Sequence, residues 1–325
     1  MNCLVVIMLL RLLSAFVALS TLVLGTPVLW DGRAPFNLTN ADLDANIGPY
    51  LTVVKGSEDA SHYSSLHGRV LAPTPLWNHP PLHLLPSEQV LSISIDNSSV
   101  FVPGGGPPQN GFRRTDFIAA NNGEHNDLNL VLEPDNATTV FHFSIKEDPK
   151  RPLNFTHEYQ IVLIEPSDGT HVFGIQLGSP FTNPTGPLPA PNAHSFKILD
   201  HDLNVLFSTP FTSNTWHNFA IQVDWAAKTL GVFYSKNGVP LKAVTKLAPN
   251  ASVKDGADGR GDFHIAVLKL PLANPADSPA DQGDVVHHGI QEGTTEALLY
   301  SGVFVESVTH GVSIGGGFST KPISL

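Results

Sequence analysis

The chain has little of what would cross-link it or make it cationic. Cys3 is the only cysteine in 325 residues, so no disulfide can form within one chain and the fold must depend on its hydrophobic core. Lys and Arg number 18 against 29 Asp and Glu, which gives a net charge of −11 with His neutral. An acidic chain with few cations is a poor match for nucleic acid or an anionic membrane surface.

Several other signatures are also missing. There is no internal repeat, no Gly-x-Ser-x-Gly elbow of a serine hydrolase, and no Asp/Glu/His spacing around His287-His288 that matches a metal site. We therefore expect no metal and no cofactor. With 27 Pro and 27 Gly, long helices have little room.

The first residues have the pattern of a secretory signal. Residues 1–25 form an apolar run with a single charge, Arg11, followed by small residues at Leu24-Gly25-Thr26. A membrane anchor is the less favoured alternative, because Arg11 splits the run and no second span follows. The sequence predicts a cleaved signal peptide over 1–25, a secreted extracellular protein and one domain over 26–325.

Five Asn-x-Ser/Thr sequons accompany this signal, and together they favour a secreted glycoprotein. Their asparagines are Asn37, Asn97, Asn136, Asn154 and Asn250.

Hydrophobic residues recur every second position, which is typical of half-buried strands rather than helices. The alternating or continuously apolar segments span 90–96, 139–145, 158–165, 171–177, 217–225, 230–235, 263–270 and 298–308. Many short strands separated by Gly- and Pro-rich connections predict an all-β, two-sheet sandwich with few short helices. One long connection, 271–296, is rich in Pro, Asp and Gly, and is either a wall of a functional site or a disordered loop.

Two polar motifs stand out on these strands. Arg113-Arg114-Thr115-Asp116 is followed by His157-Glu158-Tyr159-Gln160. Cleavage of a glycosidic bond needs two carboxyl groups facing it, and an arginine beside one of them favours its ionised form. Asp116 and Glu158 are therefore the candidate catalytic pair.

Alternation along each strand predicts which side chains share a face. If the strands are neighbours, one groove would be lined by Asp116, Arg114, His142, Glu158 and Gln160, with Trp77 as an exposed platform for a sugar. Simpler alternatives are a surface ion pair for Arg-Arg-Asp, an exposed strand position for Glu158 and a buried, hydrogen-bonded role for His142.

The same residues resemble glycoside hydrolase family 131, the secreted fungal β-glucanases. The similar stretches follow one another along the chain at 28–33, 112–117, 141–145, 153–160, 215–220 and 300–306. The resemblance implies a concanavalin A-like β-jelly roll that hydrolyses β-1,3-, β-1,6- and β-1,4-linked glucan with two carboxylates, in an inverting reaction.

Residue by residue, Glu158 is similar to the family's second acidic position, and Asp116 stands where the family has Glu. Aspartate is one methylene shorter, so its carboxyl group retreats by about 1.3 Å, and a misplacement near 1 Å costs about a hundredfold in rate. For a β-glucanase we expect Arg113 and Arg114 to tune and orient the carboxylates at the substrate, His142, His157 and Gln160 to contact sugar hydroxyls, and Trp77 to stack on a sugar.

The sequence leaves two other functions open. A polysaccharide lyase of similar fold would need a uronate substrate, which an acidic chain would repel. A glucan-binding protein without activity would follow if Asp116 marks a decayed site. For both the β-glucanase and the glucan-binding protein, the expected partner is a β-glucan polysaccharide or oligosaccharide. We expect the protein to be a monomer.

Overall fold

The computed structural model describes residues 26–77, 87–181 and 187–324. The predicted signal peptide lies outside these residues. In the part of the chain that is described, no helix has the length and apolar character needed to cross a bilayer.

Strands dominate the described residues. They are β1 Val28–Asp31, β2 Tyr50–Leu51, β3 Ser64–Leu66, β4 Leu91–Ile95, β5 Arg113–Ala119, β6 Thr138–Glu147, β7 Glu158–Pro166, β8 Gly174–Gly178, β9 Ser195–Leu199, β10 Val205–Pro210, β11 His217–Asp224, β12 Thr229–Lys236, β13 Lys242–Ala243, β14 Ala248–Pro249, β15 Gly261–Lys269, β16 Glu296–Ser307, β17 Val312–Gly315 and β18 Phe318–Thr320. The α-helices are α1 Asn40–Asp44 and α2 Asn126–Leu132, and short 3₁₀ turns occur at Ala60–His62, Gly256–Gly259, Asp281–Gly283 and Val308–His310.

The strands form two large antiparallel sheets and one small hairpin. Sheet I has the order β13-β12-β11-β6-β16-β4-β3, with β1 added beside β16 and β14 beside β12. Sheet II has the order β10-β9-β8-β7-β15-β5-β2, and β17 pairs with β18. The predicted all-β sandwich is confirmed.

The core lies between the two sheets. Sheet I contributes Phe141, Phe143 and Phe219, and sheet II contributes Phe117 and Ile265, all fully or almost fully buried. These residues are the apolar members of the alternating strands, so the inner faces follow from the sequence pattern.

The outer face of sheet I is covered by other parts of the same chain. Val140 and Phe233 of this face pack with Leu76 and with Val312, and Ile323 near the C-terminus adds to the cluster. On the other side of the sandwich, the outer face of sheet II carries polar side chains.

An irregularity in β7 decides which of its side chains reach that face. Its pairing with β8 shifts between Gln160 and Val162, so Ile161 and Val162 both enter the core although they are consecutive. Side chains before the bulge face outward at even positions, and those after it face outward at odd positions. Glu158, Gln160 and Glu165 therefore share the outer face of sheet II.

Candidate active site

A compact group of charged side chains lies on the outer face of sheet II. Asp116 of β5 accepts hydrogen bonds from Arg114 through both carboxylate oxygens, with Nε at 3.2 Å, and His264 Nδ1 lies 2.9 Å from its Oδ2. Arg114 and Asp116 share a face because they are two positions apart, as the sequence predicted. His264 of β15 joins them because Phe263 and Ile265 on either side of it point into the core.

This group holds Asp116 in its ionised form. The carboxylate is 0% exposed, and burial raises its pKa, but the charges and hydrogen bonds of Arg114 and His264 outweigh burial and lower the pKa to about 2. Asp116 therefore carries no proton to donate near neutral pH.

Glu165 is a second carboxylate of the group, and sequence reasoning missed it. Its side chain is 26% exposed, and Arg114 Nη2 lies 3.4 Å from its Oε2. Donor atoms of Asp116, Glu165 and His264 lie within 4.8 Å of one another, a spacing that a metal ion also uses. Arg114 already neutralises both carboxylates, so a cation would have to displace it, and we assign no metal here.

Glu158 lies at the other end of the outward face of β7. Its Oε2 accepts a hydrogen bond of 2.5 Å from the backbone N–H of Phe181, and its Oε1 accepts one of 3.2 Å from Gln160 Nε2. Its backbone carbonyl accepts a hydrogen bond from Leu270 N. The carboxylate is thus oriented on both oxygens by groups of its own sheet and of the adjoining loop.

A polar row joins the two ends of this face. Ladder register aligns residues of five consecutive strands across the sheet, namely Arg114, Leu268, Gln160, Gln176 and Lys197. Gln160 is half-buried, and its amide can donate to and accept from sugar hydroxyls, whereas Arg114, Gln176 and Lys197 are buried. Lys197 is fixed by its hydrogen bond of 2.8 Å to the carbonyl of Gly178.

Asp116 and Glu158 share this face but are not adjacent. Asp116 pairs with Ala266, and Glu158 lies beside Leu270, with β15 between the two strands. Strand spacing and rise then place their Cα atoms roughly 15 Å apart. Their carboxylates come within the about 6.5–9.5 Å of inverting enzymes only if both side chains extend toward the gap.

Four of the sequence-predicted contact residues lie elsewhere. Arg113 points to the opposite side of β5 and donates to the carbonyls of Asn110 and Phe112. His157 is fully buried, with Nδ1 2.8 Å from the carbonyl oxygen of Leu270. Neither side chain reaches the polar row.

His142 lies on the outer face of sheet I, so grouping it with Asp116 was wrong, and Trp77 is half-buried over that same face and is not an exposed platform. His142 is fully buried, bonds to Glu306 at 2.9 Å and stacks on Phe304. Trp77 packs edge-on against His142 and Phe304, with ring centroids 5.4 and 5.0 Å away. Alternation alone predicted which face of its strand His142 occupies, but not which sheet that strand joins.

The sequon asparagines differ in exposure. Asn37, Asn97 and Asn136 are exposed, and Asn154 is half-buried with Nδ2 2.6 Å from Glu292. Asn250 is buried, and its Nδ2 donates to the carbonyl of Val172. The folded chain has no room for a glycan at Asn250, whereas glycosylation of the other four stays a prediction.

Comparison with known proteins agrees with this fold. The family model for the glycoside hydrolase 131 catalytic N-terminal domain matches residues 28–311. The crystal structure of a GH131 β-glucanase catalytic domain from Podospora anserina superimposes with a TM-score of 0.63 at 23% identity, covering 90% of this chain and 100% of that one. The catalytic domain of the family 131 protein from Coprinopsis cinerea gives 0.62 at 25% identity, with the same coverage. No curated protein sequence matches the chain.

These findings define a glycoside hydrolase built on a β-jelly roll. The chain belongs to glycoside hydrolase family 131.

Proposed function

We propose that the protein is a secreted β-glucanase that cleaves glucan bound along the outer face of sheet II. The observation that carries the proposal is the ionised Asp116, held between Arg114 and His264 on the polar face of a family 131 sandwich. The relative from Podospora anserina is a β-glucanase, which supports glucan as the substrate. β-1,3, β-1,6 and β-1,4 linkages are the proposed range.

The two carboxylates take different roles. Because Asp116 has no proton to give, we assign it the general base that activates water. Glu158 is the general acid that protonates the leaving oxygen, oriented by Phe181 N–H and Gln160. Water attacks from the face opposite the leaving group, so the anomeric configuration inverts.

The distance between the carboxylates of Asp116 and Glu165 favours a second assignment of the catalytic acid. Carboxylate oxygens of Asp116 and Glu165 lie within 4.8 Å, close to the spacing of about 5–5.5 Å found in retaining enzymes. In this alternative Glu165 is the acid and Glu158 only binds sugar.

Two matched substitutions separate these assignments, Glu158→Gln and Glu165→Gln. The proposal expects Glu158→Gln to lower reducing-sugar release from laminarin and mixed-linkage glucan by at least about a thousandfold, in line with the loss of a general acid, and Glu165→Gln to have a much smaller effect. The reverse order would transfer the acid role to Glu165. Wild-type-like rates for both variants would remove the site from the mechanism.

The same assay tests the two competing functions. A lyase would release products with an unsaturated ring that absorbs in the ultraviolet, and only from a uronate polymer. A glucan-binding protein would bind laminarin but release no sugar over long incubation.

A further inference from the structure

A buried charge network lies behind Glu158, at the end of the sandwich. Lys269, the last residue of β15, is 1% exposed, and its ammonium donates to Glu292 Oε2 at 2.6 Å and to Glu296 Oε1 at 2.7 Å. Tyr159 OH donates to the other oxygen of Glu296 at 2.5 Å. We call Lys269, Glu292 and Glu296 the lysine clamp.

The clamp closes the base of the loop between β15 and β16. Lys269 precedes the loop, Glu292 lies near its end and Glu296 begins β16, so one ammonium ties together both ends of about 26 residues. Gln291 adds hydrogen bonds to the carbonyls of Lys269 and Gly111. Because Lys269 belongs to sheet II and Glu296 to sheet I, the clamp also joins the two sheets.

The clamp reaches Glu158 by two routes. Glu292 Oε1 lies 3.3 Å from Nε2 of His157, whose Nδ1 is bonded to Leu270, and His157 immediately precedes Glu158. The loop that the clamp closes also lies next to Phe181. Leu272 and His288 of this loop line the same small crevice as Phe181. Phe181 supplies the backbone N–H that holds the Glu158 carboxylate.

We propose that the lysine clamp is a positioning device for Glu158, acting through His157 and through the loop that supports Phe181. This inference rests on the proposed function. Burying an ammonium between two carboxylates is costly unless the geometry is well satisfied, and breaking one partner leaves an uncompensated charge. Glu292 is the partner of choice for a test because its side chain is 35% exposed and its removal leaves Glu296 on the ammonium.

The test compares Glu292→Ala with Asp284→Ala, a control on the same loop whose carboxylate lies 2.9 Å from Nδ1 of His287. We expect Glu292→Ala to lower kcat by about ten- to a hundredfold, since a shift near 1 Å at a catalytic group has that effect, with KM within about twofold. Asp284→Ala should keep both constants. Thermal unfolding and circular dichroism confirm that each variant is folded at the assay temperature.

A double-mutant cycle ties the effect to Glu158. In the Glu158→Gln background, Glu292→Ala should cause no further loss of residual rate, because the residue it positions is already disabled. A fully additive loss, or unchanged kcat in the folded Glu292→Ala variant, would overturn the inference. If Glu158→Gln itself keeps wild-type activity, the proposed acid role fails instead, and the two failures are distinguished.

Discussion

At the scale of single residues, Asp116 shows how a neighbourhood sets a carboxyl group's charge. Its pKa of about 2 when folded lies below the ordinary value of 3.8, so the folded state favours the ionised form. This stabilisation is complete above about pH 4 and disappears as the pH falls toward 2, and it amounts to about 2 kcal/mol.

Asp116→Asn should remove the contribution of the ionised carboxylate to the free energy of unfolding. It leaves the buried Arg114 with Glu165 as its remaining carboxylate, so we expect a loss of about 3–5 kcal/mol near pH 6. The difference in the free energy of unfolding between the variant and the wild type should become smaller as the pH approaches 2. Urea unfolding at several pH values measures this, and a difference that stays constant with pH would contradict the assignment.

Glu88 illustrates the opposite shift. Its carboxylate accepts a hydrogen bond from Gly302 N, but burial raises its pKa from 4.5 to about 7. A raised pKa means that folding favours the protonated form. The contribution of Glu88 to the free energy of unfolding is therefore fully present below about pH 4.5 and is lost as the pH rises through 7.

Glu88→Gln should therefore stabilise the protein at alkaline pH. The amide carbonyl can keep the bond to Gly302 without a buried charge, so we expect a gain of up to about 3 kcal/mol at pH 8 and little change at pH 4. Thermal unfolding at both pH values is the measurement. Equal effects at pH 4 and pH 8 would show that ionisation of Glu88 is not responsible.

Residue patterns predicted some of this chemistry and missed the rest for a definite reason. Arg114 and Asp116 are two positions apart on a straight strand, so their contact could be predicted. Glu165 could not, because a straight β7 would turn it inward, and only the bulge at Ile161–Val162 brings it outward. The bulge is set by pairing with strands far along the chain.

At the scale of elements, the start of β7 depends on close approach of β8. Gly178 pairs with Glu158 and has a φ of +78°, and a Cβ at this position would lie 1.9 Å from the carbonyl oxygen of His157. Gly169 has nearly the same φ, +77°, but a Cβ there would meet nothing within 4 Å. Substitutions at these two positions therefore distinguish the effect of backbone strain from the effect of a steric clash.

Gly178→Ala should be much more harmful than Gly169→Ala. In both variants the alanine must adopt a positive φ, which costs about 1 kcal/mol. In Gly178→Ala the clash also displaces the β7 backbone, which should cost about 1–3 kcal/mol more. It should also lower kcat at a temperature where the variant is folded. Equal stabilities of the two variants would mean that β8 does not constrain the strand that carries Glu158.

At the scale of the whole molecule, the period-two pattern was enough to predict a sandwich and its inner faces. It could not tell that the outer face of sheet I is covered, because that depends on the cluster that Leu76, Val312 and Ile323 form over it. His142 and Trp77 lie under or within that cover, and for this reason their predicted role in the groove was wrong.

The stereochemistry of the reaction distinguishes the pair Asp116 and Glu158 from the pair Asp116 and Glu165. Wild-type enzyme is mixed with a defined β-glucan oligosaccharide, and the anomeric protons of the new reducing end are followed by NMR before mutarotation. A base at Asp116 and an acid at Glu158 predict that the α-anomer appears first. Initial release of the β-anomer would contradict this pair and favour the close carboxylates Asp116 and Glu165.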